Sequence, residues 1–176
     1  SDAQKREYLP GLLTGERGFA VGITESAHGS DATHMETRAV RDGDHWVIDG
    51  EKCWTSGVHQ EKHVLVFART AGNAGDADGI TAFLVPLDTP GLRIEQMLWT
   101  FNMPTDHGRL SLTGLRVPHE SMFGREGRGL HVVAHDGPQA RDDVAALLAG
   151  QGRRVERIEK IRPSLEDVFV SLIEAQ

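Results

Sequence analysis

The sequence predicts a mainly β protein, an antiparallel barrel or sandwich followed by a small α/β appendage. Three observations predict it. Up to about Leu130, short apolar stretches recur every 8–15 residues or so, separated by Gly, Asp and Pro turn signals. Two stretches, residues 63–68 (HVLVFA) and 80–85 (ITAFLV), are continuous apolar runs, the mark of strands buried on both faces. After Gly129 the period changes: Val144, Leu147 and Leu148, then Leu165, Val168, Phe169, Leu172 and Ile173, fall on helical spacing.

Each element follows from local chemistry. Residues 18–24 (GFAVGIT) form the first expected strand. Residues 38–41 and 45–49 form a hairpin around Asp42-Gly43-Asp44, because Asp-Gly readily takes the positive φ of a tight turn. A second Asp-Gly, Asp49-Gly50, sets off a strand over 52–56 (KCWTS). Residues 71–79 form a Gly/Asp/Asn/Ala loop, and Pro86 stops the strand over 80–85. Asp88-Thr89-Pro90-Gly91 turns the chain, and 92–97 alternates weakly. Leu110 with Leu112, and Leu115 with Val117, form a last pair of strands around Thr113-Gly114. In the appendage, residues 153–162 read as a strand, and Ser164 caps a helix whose first turn holds Glu166 and Asp167.

Composition narrows the function. The chain has 176 residues, with 26 acidic and 19 Lys/Arg side chains, a formal charge of −7. That balance argues against a phosphate-backbone binder, so no nucleic-acid partner is expected. No apolar run approaches the length of a membrane span, and residues 1–10 lack the apolar core of a signal peptide. The single cysteine, Cys53, allows neither an internal disulfide nor a cysteine-based zinc cage, which suits a reducing, cytoplasmic setting. It reads as a buried small hydrophobe beside Trp54. The first methionine is Met35, so a fragment, a processed product or an engineered piece is expected. His28 with His34, or His59 with His63, have the look of metal-ligand pairs, but no carboxylate–histidine motif accompanies them and no metal is expected. A serine hydrolase is excluded by the lack of a Gly-x-Ser-x-Gly elbow.

Five motifs in order then carry a resemblance. They are Thr24-Glu25-Ser26-Ala27-His28-Gly29-Ser30-Asp31, Lys52-Cys53-Trp54-Thr55-Ser56-Gly57, Phe83-Leu84-Val85-Pro86 with Thr89-Pro90-Gly91, Leu115-Arg116-Val117-Pro118, and Gly124-Arg125-Glu126-Gly127-Arg128-Gly129. This succession resembles the middle β domain of the acyl-CoA dehydrogenase family over about residues 5–130. Ser26 stands where the family has proline, His28 where a small residue is usual, and Ser56 where it has threonine. The resemblance implies FAD as cofactor and an acyl-CoA thioester as substrate. It implies FAD contacts at Val21, Ile23, Thr24, Gly29 and Ser30 on one strand and bend, and at Trp54, Thr55 and Ser56 on the next. Ser30 is further implied beside the thioester, and the Ser56 hydroxyl at flavin N5. The chemistry agrees: a flat isoalloxazine needs an apolar wall, which Trp54 supplies, and hydroxyls at its rim, which Thr24 and Ser56 supply. Gly29 lets backbone approach a pyrophosphate, and Ser30 adds a donor.

In the family the base that removes the α-proton, and much of the flavin contact, come from helical domains. No residue here is carried over as that base, and independent dehydrogenase activity is not expected. Helical domains or a homo-oligomer are the expected partners. The implied organisation is 1–16, the end of a helical segment and linker; 17–130, the β domain; and 131–176, the appendage. The ending Arg162-Pro163-Ser164-Leu165-Glu166-Asp167-Val168-Phe169 is similar to the C-terminal module of ABC-exporter ATPase subunits, although no phosphate loop exists in the chain. Alternative readings are a non-enzymatic interaction module and an accessory piece of such an exporter.

Overall fold

The computed structural model describes residues 1–130, and the structural statements below concern those residues. The expected appendage over 131–176 lies outside them. The chain opens with α1 (Asp2–Thr14). Ser1 caps it: its hydroxyl accepts from the Gln4 N–H while the Gln4 side chain reaches back to the Ser1 nitrogen, a reciprocal capping box. Gly15, at φ 72, ends the helix in the left-handed conformation that glycine tolerates. The Gln4 amide donates to the carbonyls of Glu120 (2.8 Å) and Met122 (3.0 Å), and the Tyr8 ring meets His63 edge to face at 5.5 Å. These contacts hold α1 on the sheet.

The strands are β1 (Ala20–Gly22), β2 (Arg38–Asp42), β3 (His45–Ser56), β4 (His63–Arg69), β5 (Ile80–Pro86), β6 (Leu92–Thr100), β7 (Met103–Pro118) and β8 (Met122–Phe123). They form one sheet in the order β6-β7-β3-β2-β4-β5-β8, with β1 attached to β4. The mainly β class matches the expectation. The path nonetheless stays open between β6 and β8, so the described residues do not close into the expected barrel. Nor is the sheet wholly antiparallel. β1 pairs with β4 in parallel, Val21 beside Leu65, and Arg38 makes a single parallel pair with Arg69. Between β1 and β4 the chain makes an excursion that contains the β2–β3 hairpin, and it returns running the same way, a crossover that forces parallel pairing.

β4 and β5 are buried on both faces, as their unbroken apolar text requires. Alternate residues serve two cores. Val64, Val66, Ala68, Phe83 and Val85 join Trp46, Ile48, Leu110 and Leu115 on one side. Leu65, Phe67, Ala82 and Leu84 join Met35 and Ile80 on the other, where Tyr8, Phe19, Ile23 and Leu130 give partial cover. The β2–β3 turn forms where expected, with Asp42 opposite His45 and Gly43 at φ 63 in the first turn position.

Two expected turns are irregularities inside long strands. Asp49-Gly50 does not separate two strands; β3 runs through it, shifting register against β7 between Ile48 and Gly50. Gly50 sits at φ 149, and a Cβ there would lie 2.7 Å from the Thr37 backbone. Thr113-Gly114 faces that same shift within β7, which is likewise continuous. The reversal that does occur, Phe101-Asn102 between β6 and β7, carries no glycine signal; both residues adopt positive φ, 46 and 61.

Candidate functional site

The bend after β1 and the second half of β3 lie side by side. The Cys53 N–H donates to the Thr24 carbonyl at 2.9 Å, and the Ser26 N–H donates to the Glu51 carboxylate at 3.2 Å. A buried ion pair fastens the two. Lys52 Nζ lies 2.8 Å from Glu25 Oε1 and donates to the Ile23 carbonyl at 3.1 Å, with side-chain exposures of 0% and 4% for the lysine and the glutamate. Glu25 also accepts from the backbone N–H groups of Glu36 (2.6 Å) and Thr37 (2.9 Å), closing the bend on itself. Burial pushes the Glu25 carboxyl up, but the Lys52 ammonium and these hydrogen bonds outweigh it and hold the group below the usual carboxylate range. Burial lowers the Lys52 ammonium, and the Glu25 carboxylate opposes that shift. Sequence reading missed this pair. The only available signal was a charged pair inside two otherwise recognisable motifs.

A second register shift, between Lys52 and Thr55, sets the chemistry of β3. Strict alternation cannot hold across it, so Lys52 and Cys53 are both buried while Trp54 stays 47% exposed. Trp54 takes φ 57, a left-handed conformation uncommon for a bulky side chain. Ser56 is exposed, and its Oγ lies 2.8 Å from His107 Nδ1. His107 packs edge-on to Trp54 at 5.9 Å. Thr55 points inward: it is fully buried, and its Oγ1 has no hydrogen-bond partner. Its side chain therefore belongs to the core rather than to the open face.

The remaining predicted residues lie along β1 and the bend. Val21 is 44% exposed on β1, Ile23 leans on the second core, and Thr24 is half-buried. Gly29 and Ser30 are exposed, and a Cβ at Gly29 would meet open space. Beyond them, Asp31 caps the short turn over Ala32–His34 through the Thr33 N–H, and its carboxyl is held low by the Thr33 hydroxyl first and then by His34. His28 and His34 stack at 6.0 Å, but each faces a carboxylate, Glu36 and Asp31 respectively. Among the described residues no group of three or more His, Cys, Asp or Glu side chains is placed to hold a metal. Cys53 is a buried free thiol.

The exposed aromatic wall, the hydroxyl at its edge and the open backbone at Gly29 fit the needs of a flat redox ring with a pyrophosphate tail. Comparison with known proteins identifies the family. The family "Acyl-CoA dehydrogenase, middle domain" matches residues 20–115. An acyl-CoA dehydrogenase of Mycobacterium tuberculosis, FadE29, is 34% identical over 137 residues, covering 76% of this chain and 34% of that protein. The mitochondrial isovaleryl-CoA dehydrogenase of rice is 34% identical over 191 residues, covering 98% of this chain and 46% of that protein. The crystal structure of an acyl-CoA dehydrogenase from Geobacillus kaustophilus superposes with a TM-score of 0.66 at 31% identity, covering 74% of this chain and 35% of that one. The chain thus spans between a third and a half of the length of these relatives. The exporter-type ending expected over 131–176 gains no support from these comparisons, since the rice alignment carries the dehydrogenase match into that segment. With its β domain matched in sequence motifs, in fold and in relatives alike, the chain belongs to the acyl-CoA dehydrogenase family.

Proposed function

We propose that this chain supplies the FAD-binding face of an oxidoreductase that dehydrogenates acyl-CoA thioesters between the α and β carbons. The observation that carries the reading is Trp54. A large aromatic is left half-exposed in a strained backbone conformation, with a hydroxyl beside it. Such a feature costs stability and is retained where a ligand needs it. FAD, when bound, supplies the hydride acceptor of the reaction.

The residues have separate tasks. Trp54 forms an apolar wall, and Val21, Ile23 and Thr24 continue the contact along β1 and its bend. The Ser56 hydroxyl donates at the ring edge, where charge builds up as hydride arrives. The Gly29 and Ser30 amides and the Ser30 hydroxyl serve phosphate or thioester oxygens. Thr55 contributes through its backbone only. We assign the α-proton base to none of the described residues. Glu25, a carboxylate within the bend, is tied to Lys52 and two backbone amides and is not free to take a proton. In this reading the helical parts of the enzyme, or a second copy of the chain, complete the site. A reducing, cytoplasmic setting suits the unpaired buried Cys53.

Titration of the chain with FAD, followed by flavin fluorescence, tests the proposal. Saturable binding is expected, and Trp54→Gly is expected to weaken it about tenfold, roughly 1.4 kcal/mol. The fold should stay within about 1 kcal/mol of the parent, because glycine relieves the left-handed strain. No saturable binding, even with the helical domains of a relative supplied, would remove the cofactor from the account.

A further inference from the structure

His107 stands opposite Ser56 in the β3–β7 ladder, a cross-strand pair whose side chains meet. Its Nδ1 lies 2.8 Å from Ser56 Oγ and 3.3 Å from Asp106 Oδ1. The ring and the backbone of His107 are each held by one further contact. Trp54 packs against it at 70°, and its backbone N–H donates to Thr105 Oγ1, which in turn donates to the Leu98 carbonyl. Two acceptor-capable groups therefore crowd one ring nitrogen.

The tautomer follows from the donor inventory. An ionised carboxylate can only accept, so a bare Nδ1 lone pair facing Asp106 would be repelled, whereas an Nδ1–H would be attracted. With the proton on Nδ1, Ser56 Oγ is the acceptor. A hydroxyl that accepts from the ring keeps its own proton free. Since Ser56 is exposed, that proton is free to point into the open face. With the proton elsewhere, the Ser56 O–H would be consumed by the imidazole.

We propose that His107, backed by Asp106, is a positioning residue that keeps the Ser56 hydroxyl a free donor for an acceptor atom on the edge of a flat heteroaromatic ligand. This deepens the flavin reading and rests on it for the identity of that ligand. His107 touches no reacting atom; it acts through Ser56.

Nitrogen NMR of the full chain labelled in histidine, without FAD, reads the tautomer directly. A protonated Nδ1 at His107 is the expected result, and a bare Nδ1 overturns the proposal whatever the ligand. With FAD bound, the midpoint potential of the flavin supplies the second readout. Ser56→Ala and His107→Leu should shift it in the same direction and by similar amounts, and the double variant should add nothing further. His107→Asn, which keeps an N–H donor near the Nδ1 position, should restore the parent potential. A shift in Ser56→Ala without one in His107→Leu, or no shift in either, contradicts the proposal. Failure of FAD to bind would instead refute the flavin reading, and the tautomer measurement would still decide the orientation of the hydroxyl.

Discussion

Glu25 and Lys52 do for this site what an aliphatic pair could not. A pair of leucines could fill much of the same space, but only polar groups hydrogen-bond the amides of Glu36 and Thr37 and the carbonyl of Ile23. The pair fixes where the bend lies on β3, and with it the spacing between Thr24 and Trp54. Breaking it leaves a buried charge unpaired. Glu25→Gln and Lys52→Met are each expected to destabilise the chain by about 3–5 kcal/mol, measured by urea unfolding. The double variant Glu25→Leu/Lys52→Met is expected to recover much of that loss while weakening FAD binding. The pair also sets a pH dependence. The Glu25 carboxyl is lowered in the folded state, so its contribution is fully present above the unfolded value, about 4.3, and is lost as pH falls through the lower folded value. Stability should therefore drop below about pH 4, and Glu25→Gln should flatten that part of the profile.

The elements differ in how much of themselves the sequence displayed. β4 and β5 were legible because burial on both faces writes an unbroken apolar run, and the Gly43 turn because positive φ selects glycine. The joins inside β3 and β7 were not. Asp49-Gly50 and Thr113-Gly114 carry the same residue signals as a hairpin, yet here those signals serve paired bulges across one ladder. Which use prevails depends on partner strands, and no local window contains them. The Phe101-Asn102 reversal is the converse case, a two-residue turn written without glycine, so the hairpin joining β6 and β7 left no trace. Two non-glycine residues at positive φ carry strain, about 1 kcal/mol or more each. Replacing Phe101-Asn102 with Asn-Gly should stabilise the chain by about 1 kcal/mol in thermal or urea unfolding. Phe101 is 95% exposed, so little packing is lost with it.

On the scale of the whole molecule, the site was legible as an ordered set of motifs and illegible as a surface. Ordered motifs marked Thr24, Gly29, Ser30, Trp54 and Ser56, the resemblance they carry added Val21, and the fold puts each at least partly in reach of solvent. They did not reveal that Thr55 turns inward, since that follows from the bulge at Trp54, or that His107 arrives from β7, since that follows from register. The open sheet, the parallel join of β1 to β4 and the ion pair together bring one strand and one bend to a common face. The second core, covered in part by Tyr8, Phe19, Ile23 and Leu130, lies on the side of β4 that Val21 shares with Leu65.

On the proposed reading, the Trp54 strand and the Thr24–Ser30 bend together receive a flavin. Nuclear Overhauser contacts between bound FAD and the protein test it most directly. Cross-peaks are expected from the isoalloxazine protons to the Trp54 indole and to the methyl groups of Val21 and Thr24. Cross-peaks confined to the 350 Å³ cavity beside α1, for instance to Tyr8 and Leu12, would contradict it.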